Sequence, residues 1–89
     1  MARLFVRHKV EDYAKWRKVY DELEETRTRM GEIGDWAFQL DGDPNDVTVI
    51  HDFDSVEKAN AFAASAELHE AMSNAGVAGR PDVWITSET

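Results

Sequence analysis

The chain has 89 residues, no cysteine and a formal net charge of −8, the length of one small domain. Disulfide staples, thiolate metal sites and cysteine nucleophiles are excluded. The acidity argues against nucleic acid and anionic membrane as partners, and no apolar run is long enough to span a bilayer. Met1-Ala2-Arg3-Leu4 lacks a signal-peptide layout, so a cytoplasmic protein is expected, with one domain over residues 1–89.

In chain order, residues 3–10 alternate, with Leu4, Val6, His8 and Val10 on one side and Arg3, Phe5, Arg7 and Lys9 on the other. Period two with β-branched residues predicts a strand. Asp12 is placed to cap a helix over 13–30, whose stripe runs Tyr13, Trp16, Val19, Tyr20, Leu23, Arg27 and Met30 and which Gly31 ends. A second strand is predicted near 34–40, with Trp36, Phe38 and Leu40 on one face. Residues 41–46 form a turn cluster leading into a third strand at about 47–53. The acids of that turn do not make a calcium loop, because the positions that need glycine and glutamate hold Asp46 and Asp52. Ser55 is expected to cap a second helix that Ser65-Ala66-Glu67 kinks or splits and Gly76 ends. Gly79-Arg80-Pro81 reads as a turn before a last strand over Asp82–Ser87.

The first and third strands carry the same pattern. Val6-Arg7-His8-Lys9-Val10 leads into Asp12, and Val49-Ile50-His51-Asp52-Phe53 leads into Ser55. An internal repeat in a β-α-β-β-α-β order predicts an α+β, ferredoxin-like βαββαβ fold, with a four-stranded antiparallel sheet and helices on one face. Pseudo-twofold pairing of the repeats sets Val6 opposite Val49. The other face carries Phe5 and Ile50, joined by a tryptophan, Trp36 or Trp84, and is too apolar to leave in water. A homodimer is expected to cover it.

Three further stretches complete a family likeness. They are Asp12-Tyr13-Ala14-Lys15-Trp16, the hairpin Asp43-Pro44-Asn45-Asp46-Val47-Thr48-Val49, and Ser65-Ala66-Glu67-Leu68-His69-Glu70-Ala71-Met72 followed by Gly76-Val77-Ala78-Gly79. With these the chain resembles the dimeric α+β barrel superfamily, near the antibiotic-biosynthesis-monooxygenase-like domains. The resemblance implies two sheets packed face to face across a dimer, with a pocket in each subunit between sheet and helices. Such domains include cofactor-free oxygenases acting on polycyclic aromatics, haem-degrading enzymes, isomerases, cyclases and dehydratases. The haem-degrading branch carries an asparagine on the first strand, where this chain has His8.

His8 and His51 share the more apolar face and are the candidate catalytic residues, since a neutral histidine can act as a base near pH 7. The alternative for each is a core or rim histidine bonded to a carbonyl or water. Antiparallel pairing about Val6 and Val49 separates them by ~13 Å along the strands. That places them at opposite ends of one face, with at most one in any pocket and no shared metal site. His8 is the first choice and His51 the second. Trp16, Tyr20, Arg27, Phe53 and His69 are the candidate substrate-binding residues. Tyr20 and Arg27 are expected to hold a developing oxyanion, or Arg27 to pair with a nearby glutamate, and His69 to rim the pocket mouth. The reading is an enzyme without a bound cofactor, acting on a small hydrophobic or aromatic, polyketide-like molecule as a monooxygenase, isomerase or cyclase. The alternative is a non-catalytic dimeric ligand-binding or interaction domain.

Overall fold

The structure is a computed structural model that describes residues 1–89. Its elements are β1 (Ala2–Val10), α1 (Tyr13–Glu22), α2 (Glu24–Arg29), β2 (Glu32–Leu40), β3 (Asp43–Phe53), α3 (Val56–Ala63), α4 (Ala66–Asn74) and β4 (Val77–Ser87). The sheet is antiparallel throughout, in the order β2-β3-β1-β4. The two histidine-bearing strands are central, and Val6 lies opposite Val49 as the repeat predicts. This is the expected ferredoxin-like fold. No helix is long and apolar enough to cross a membrane.

The helix starts follow from their caps. Asp12 accepts from the Ala14 amide at 3.0 Å, Ser55 from the Lys58 amide at 3.2 Å, and Ser65 from the Leu68 amide at 3.1 Å. Ser65 thus splits the second helical stretch into α3 and α4. Gly31 and Gly76 adopt φ of 100° and 74° just beyond α2 and α4, the left-handed conformation that ends a helix.

The predicted helix over 13–30 is interrupted at Leu23. There the Leu23 amide is shared between the Val19 and Tyr20 carbonyls, a 3₁₀-like turn, and the Tyr20 carbonyl also accepts from the Arg27 guanidinium. Strand bounds also shift. β2 begins at Glu32, two residues earlier than predicted, and β3 begins at Asp43, leaving Asp41-Gly42 as the turn. Gly79-Arg80-Pro81 is no turn between elements. It is an irregularity inside β4, where three residues stand opposite His8 alone, between the pairs Arg7↔Asp82 and Lys9↔Ala78.

The helix-side face buries two apolar clusters. Leu4, Val6 and Phe53 pack with Phe62 and Leu68, while Val47 and Val49 pack with Trp16 and Tyr20. The opposite face carries a row across all four strands, Trp36–Ile50–Phe5–Trp84. Both tryptophans join it, and Phe5 and Trp84 stack with centroids 5.1 Å apart. Trp36, Phe38, Leu40 and Trp84 are each about half exposed. Two forked ion pairs flank the row: Arg3–Asp52 at 2.8 and 3.0 Å, and Arg7–Asp46 at 3.0 and 2.9 Å. The Arg7 bond is the main reason the Asp46 carboxyl lies below its ordinary pKa.

Candidate functional site

Between the sheet and the helices lies a narrow, almost wholly apolar cavity. Val6 and Val49 form its floor, Val19, Leu23, Ala71 and Met72 line the helix side, and both His8 and His51 reach it. The expectation of at most one histidine per pocket is therefore corrected. The register does separate them by four positions, since Leu4 faces His51 and His8 faces Val47. The cavity, however, runs along the strands and spans that distance. Its side is a continuous series of rings. His8 meets Trp16 edge-on at 5.8 Å, Trp16 stacks on Tyr20 at 4.9 Å, and Tyr20 tilts against His51 at 6.2 Å. Trp16 and Tyr20 are one helical turn apart, which is why their rings stack.

The cavity is narrow but not enclosed. About 30 Å³ is open to the centre of a water-sized sphere, room for about two waters. A groove of about 260 Å³ lies outside it between α1–α2 and α4, and the two share Val19, Leu23 and Ala71 as their partition. Leu23, in that partition, is only half-buried.

His51 is 3 % exposed and belongs to a buried polar network. Its Nδ1 lies 2.5 Å from Oε2 of Glu32. The other Glu32 oxygen accepts from Arg27 Nε at 3.1 Å. Arg27 also donates to the Tyr20 carbonyl, lies 3.7 Å from Asp35, and sits 4.0 Å from the centre of the Tyr20 ring. The Tyr20 hydroxyl donates to Asp35. A carboxylate only accepts, so the neutral form of His51 places its proton on Nδ1 and leaves Nε2 as the free lone pair. No protein group bonds that Nε2.

His8 differs in its hydrogen bonding. It is 6 % exposed, and neither ring nitrogen has a hydrogen-bond partner. Burial is the largest influence on it and lowers its pKa to about 4, with Asp46 opposing and His51 adding to the decrease. At pH 7 it is a neutral imidazole whose N–H and lone pair are both unused, an arrangement that costs stability unless a ligand fills it.

The remaining candidates fall on both sides of the cavity wall. Trp16 and Tyr20 line it. Arg27 lies outside it, and its guanidinium is engaged by Glu32, Asp35 and a backbone carbonyl. The Tyr20 hydroxyl is likewise committed to Asp35, and burial pushes its pKa up. In this conformation the polar groups of Tyr20 and Arg27, expected to hold an oxyanion, are engaged within the protein. Phe53 is fully buried against Phe62 and does not reach the cavity. His69 is exposed on α4, with Nε2 3.3 Å from the Ala63 carbonyl, and lines neither cavity nor groove. Sequence reading missed Glu32 and Asp35. The one available signal was that a strand extended back to residue 32 carries both acids beside His51.

Compared by sequence, the chain matches no protein-family model and no curated protein. Its fold is matched closely among solved structures. A proposed antibiotic biosynthesis monooxygenase from Bordetella bronchiseptica superposes with a TM-score of 0.83 at 17 % identity, covering 99 % of this chain and 96 % of that one. A second, from Nitrosomonas europaea, gives 0.78 at 15 %, covering 99 % and 98 %. SnoaB, a cofactor-independent oxygenase from Streptomyces nogalater, gives 0.81 at 10 %, covering 99 % and 92 %. At these identities the similarity is one of fold.

Proposed function

We propose that this protein is a cytoplasmic homodimer and a small-molecule enzyme. It would bind an aromatic or polyketide-like compound between sheet and helices and remove a proton from it without a bound cofactor. The observation that carries this reading is the pairing of His51 Nδ1 with Glu32 at 2.5 Å, at the wall of an apolar cavity. A carboxylate behind an imidazole orients the ring and stabilises the imidazolium formed when its other nitrogen takes a proton. The pairing moves the preferred base from His8, favoured by sequence, to His51. Proton removal from an acidic C–H or phenol is the step shared by monooxygenase, isomerase and cyclase outcomes. Fold neighbours described as antibiotic biosynthesis monooxygenases, and another described as a cofactor-independent oxygenase, support a reaction that needs no bound cofactor.

The second copy covers the open sheet face. Trp36–Ile50–Phe5–Trp84 supplies the apolar contact of a face-to-face sheet packing.

The test is turnover of a panel of hydroxylated polycyclic aromatics by wild type, His51→Ala and His8→Ala, each shown to be folded by circular dichroism. The reading expects His51→Ala to lose turnover by about a hundredfold or more, the usual scale of general-base catalysis. Full turnover in both variants refutes the histidine base. Ligand binding with no turnover on any compound supports the non-catalytic alternative.

A further inference from the structure

We infer that the groove beside the β4 irregularity binds a small oxyanion that still carries a proton, with inorganic phosphate as its simplest form. Arg7 and Arg80 hold the anion's bare oxygens, and Asp82 accepts from its hydroxyl. The groove lies on the open face of the sheet, away from the cavity between sheet and helices. The two share only His8, whose ring meets Trp16 on the helix side. Neither cavity histidine takes part in holding the anion.

The backbone of β4 builds the site. Between the pairs Arg7↔Asp82 and Lys9↔Ala78, three residues of β4 stand opposite one residue of β1. Gly79 takes φ of 73°, and a Cβ there would meet nothing within 4 Å, so the strand bows into open space. An irregularity of this kind re-aims the side chains it carries. Here it sets Arg80 in the wall of a groove of about 230 Å³, together with Arg7, Lys9, Asp46 and Asp82.

Charge selects the sign of the ligand. The groove brings three cations against two carboxylates, in a chain of net charge −8. The groove between α1–α2 and α4 holds three glutamates and no cation. Among the ten lysines and arginines only Lys15, Lys18 and Arg80 form no ion pair. Lys15 and Lys18 stand on the exposed side of α1, whereas Arg80 lines the groove. Arg7 is held from behind. Its Nε and Nη2 fork onto Asp46, which is 5 % exposed, and its Nη1 makes no bond within the protein. A guanidinium fixed in this way offers N–H donors to an oxyanion with little further loss of freedom. Lys9 is bonded to Asp43 at 2.5 Å, so Arg7 and Arg80 are the available donors.

Asp82 selects the protonation state. It stands opposite Arg7 across the strands and lines the groove. A carboxylate only accepts, so it repels a bare oxyanion and attracts one that brings a hydroxyl. Inorganic phosphate at neutral pH keeps at least one O–H, and sulfate has none. Phosphate therefore satisfies both arginines and Asp82, while sulfate leaves Asp82 facing bare oxygen.

The experiment is an NMR titration of the nitrogen-15-labelled protein with sodium phosphate and, separately, sodium sulfate at pH 7. Ionic strength is held constant with sodium chloride, because exposed charges are screened by salt. The Gly79, Arg80 and Asp82 amides and the Arg7 Nε signal report binding. Phosphate is expected to give saturable shifts with millimolar affinity, and sulfate to bind about tenfold more weakly. Arg80→Gln is expected to weaken phosphate binding about tenfold, the scale of a hydrogen bond to a charged group. Asp82→Asn is expected to remove the preference for phosphate over sulfate. Both side chains are exposed, so neither variant disturbs the core. Shifts that sodium chloride reproduces, or that Arg80→Gln leaves unchanged, overturn the site, and so does equal binding of phosphate and sulfate by wild type. If phosphate fails to bind while Arg80→Gln weakens self-association in light scattering, a carboxylate of the second copy fills the groove and the anion site is refuted.

Discussion

Replacing His8 by leucine tests whether the cavity really contains an unsatisfied, uncharged imidazole. In the folded protein both ring nitrogens lack a partner and the side chain is 6 % exposed. A buried polar group in that state costs roughly 1–3 kcal/mol, so His8→Leu is expected to gain about that much stability at pH 7.5. The pH dependence is a sharper check. Burial lowers the folded-state pKa from 6.5 to about 4. As pH falls below 6.5 the unfolded chain takes up a proton that the folded chain refuses, so wild type loses stability between pH 6.5 and 4 and loses no more from this group below that. At about 1.4 kcal/mol per pH unit the loss reaches at most about 3 kcal/mol. Leucine removes this contribution, so its advantage over wild type grows by that amount from pH 7.5 to pH 4. Carboxylates not coupled to His8, such as Asp43, whose folded pKa is lowered by Lys9, weaken both proteins together in acid and cancel in the difference. Urea unfolding followed by tryptophan fluorescence at four pH values between 7.5 and 4 measures it. An advantage that stays constant with pH, or a leucine variant less stable than wild type at pH 7.5, refutes the unpartnered, neutral histidine.

Other expectations follow from the same contacts. Arg27→Met strips the buried Glu32 of its cation and is expected to cost roughly 3–5 kcal/mol in urea unfolding. Lysine restores little of this, because one ammonium cannot reproduce the planar fork. Ile50→Glu places a carboxylate in the middle of the apolar row on the open sheet face. Light scattering is expected to report twice 10.1 kDa for wild type and 10.1 kDa for the variant, and a wild-type monomer refutes the dimer. Ser65→Ala removes both the cap of α4 and the hydroxyl's bond to the Phe62 carbonyl. It is expected to cost about 1–2 kcal/mol.

The repeat was legible because each copy places a histidine at the same point of an alternating strand, and alternation alone decides which face a side chain takes. The pairing of Val6 with Val49 followed from the pseudo-twofold axis that the repeat implies. The caps Asp12 and Ser55 could be read because a cap acts within three residues of itself. Glu32 was not legible. It lies just past the positive-φ glycine that ends α2, and its importance depends on Phe53 pairing, which draws β2 back far enough to bring it beside His51. Arg27, Tyr20 and Phe53 were expected at the ligand because periodicity identifies a buried stripe. It cannot tell which buried groups have already found partners.

From the sequence alone came the strand faces, the order of elements, the central position of the two histidine strands and the presence of a second apolar face. These depend on local periodicity and chain connectivity. Tertiary structure alone decided that both histidines share one cavity, that Glu32 engages one of them and nothing engages the other, and that Arg27 and Tyr20 are held within the protein. Those facts depend on packing between β2, β3 and the α1–α2 pair, segments far apart in sequence, where differences of an ångström determine which hydrogen bonds form.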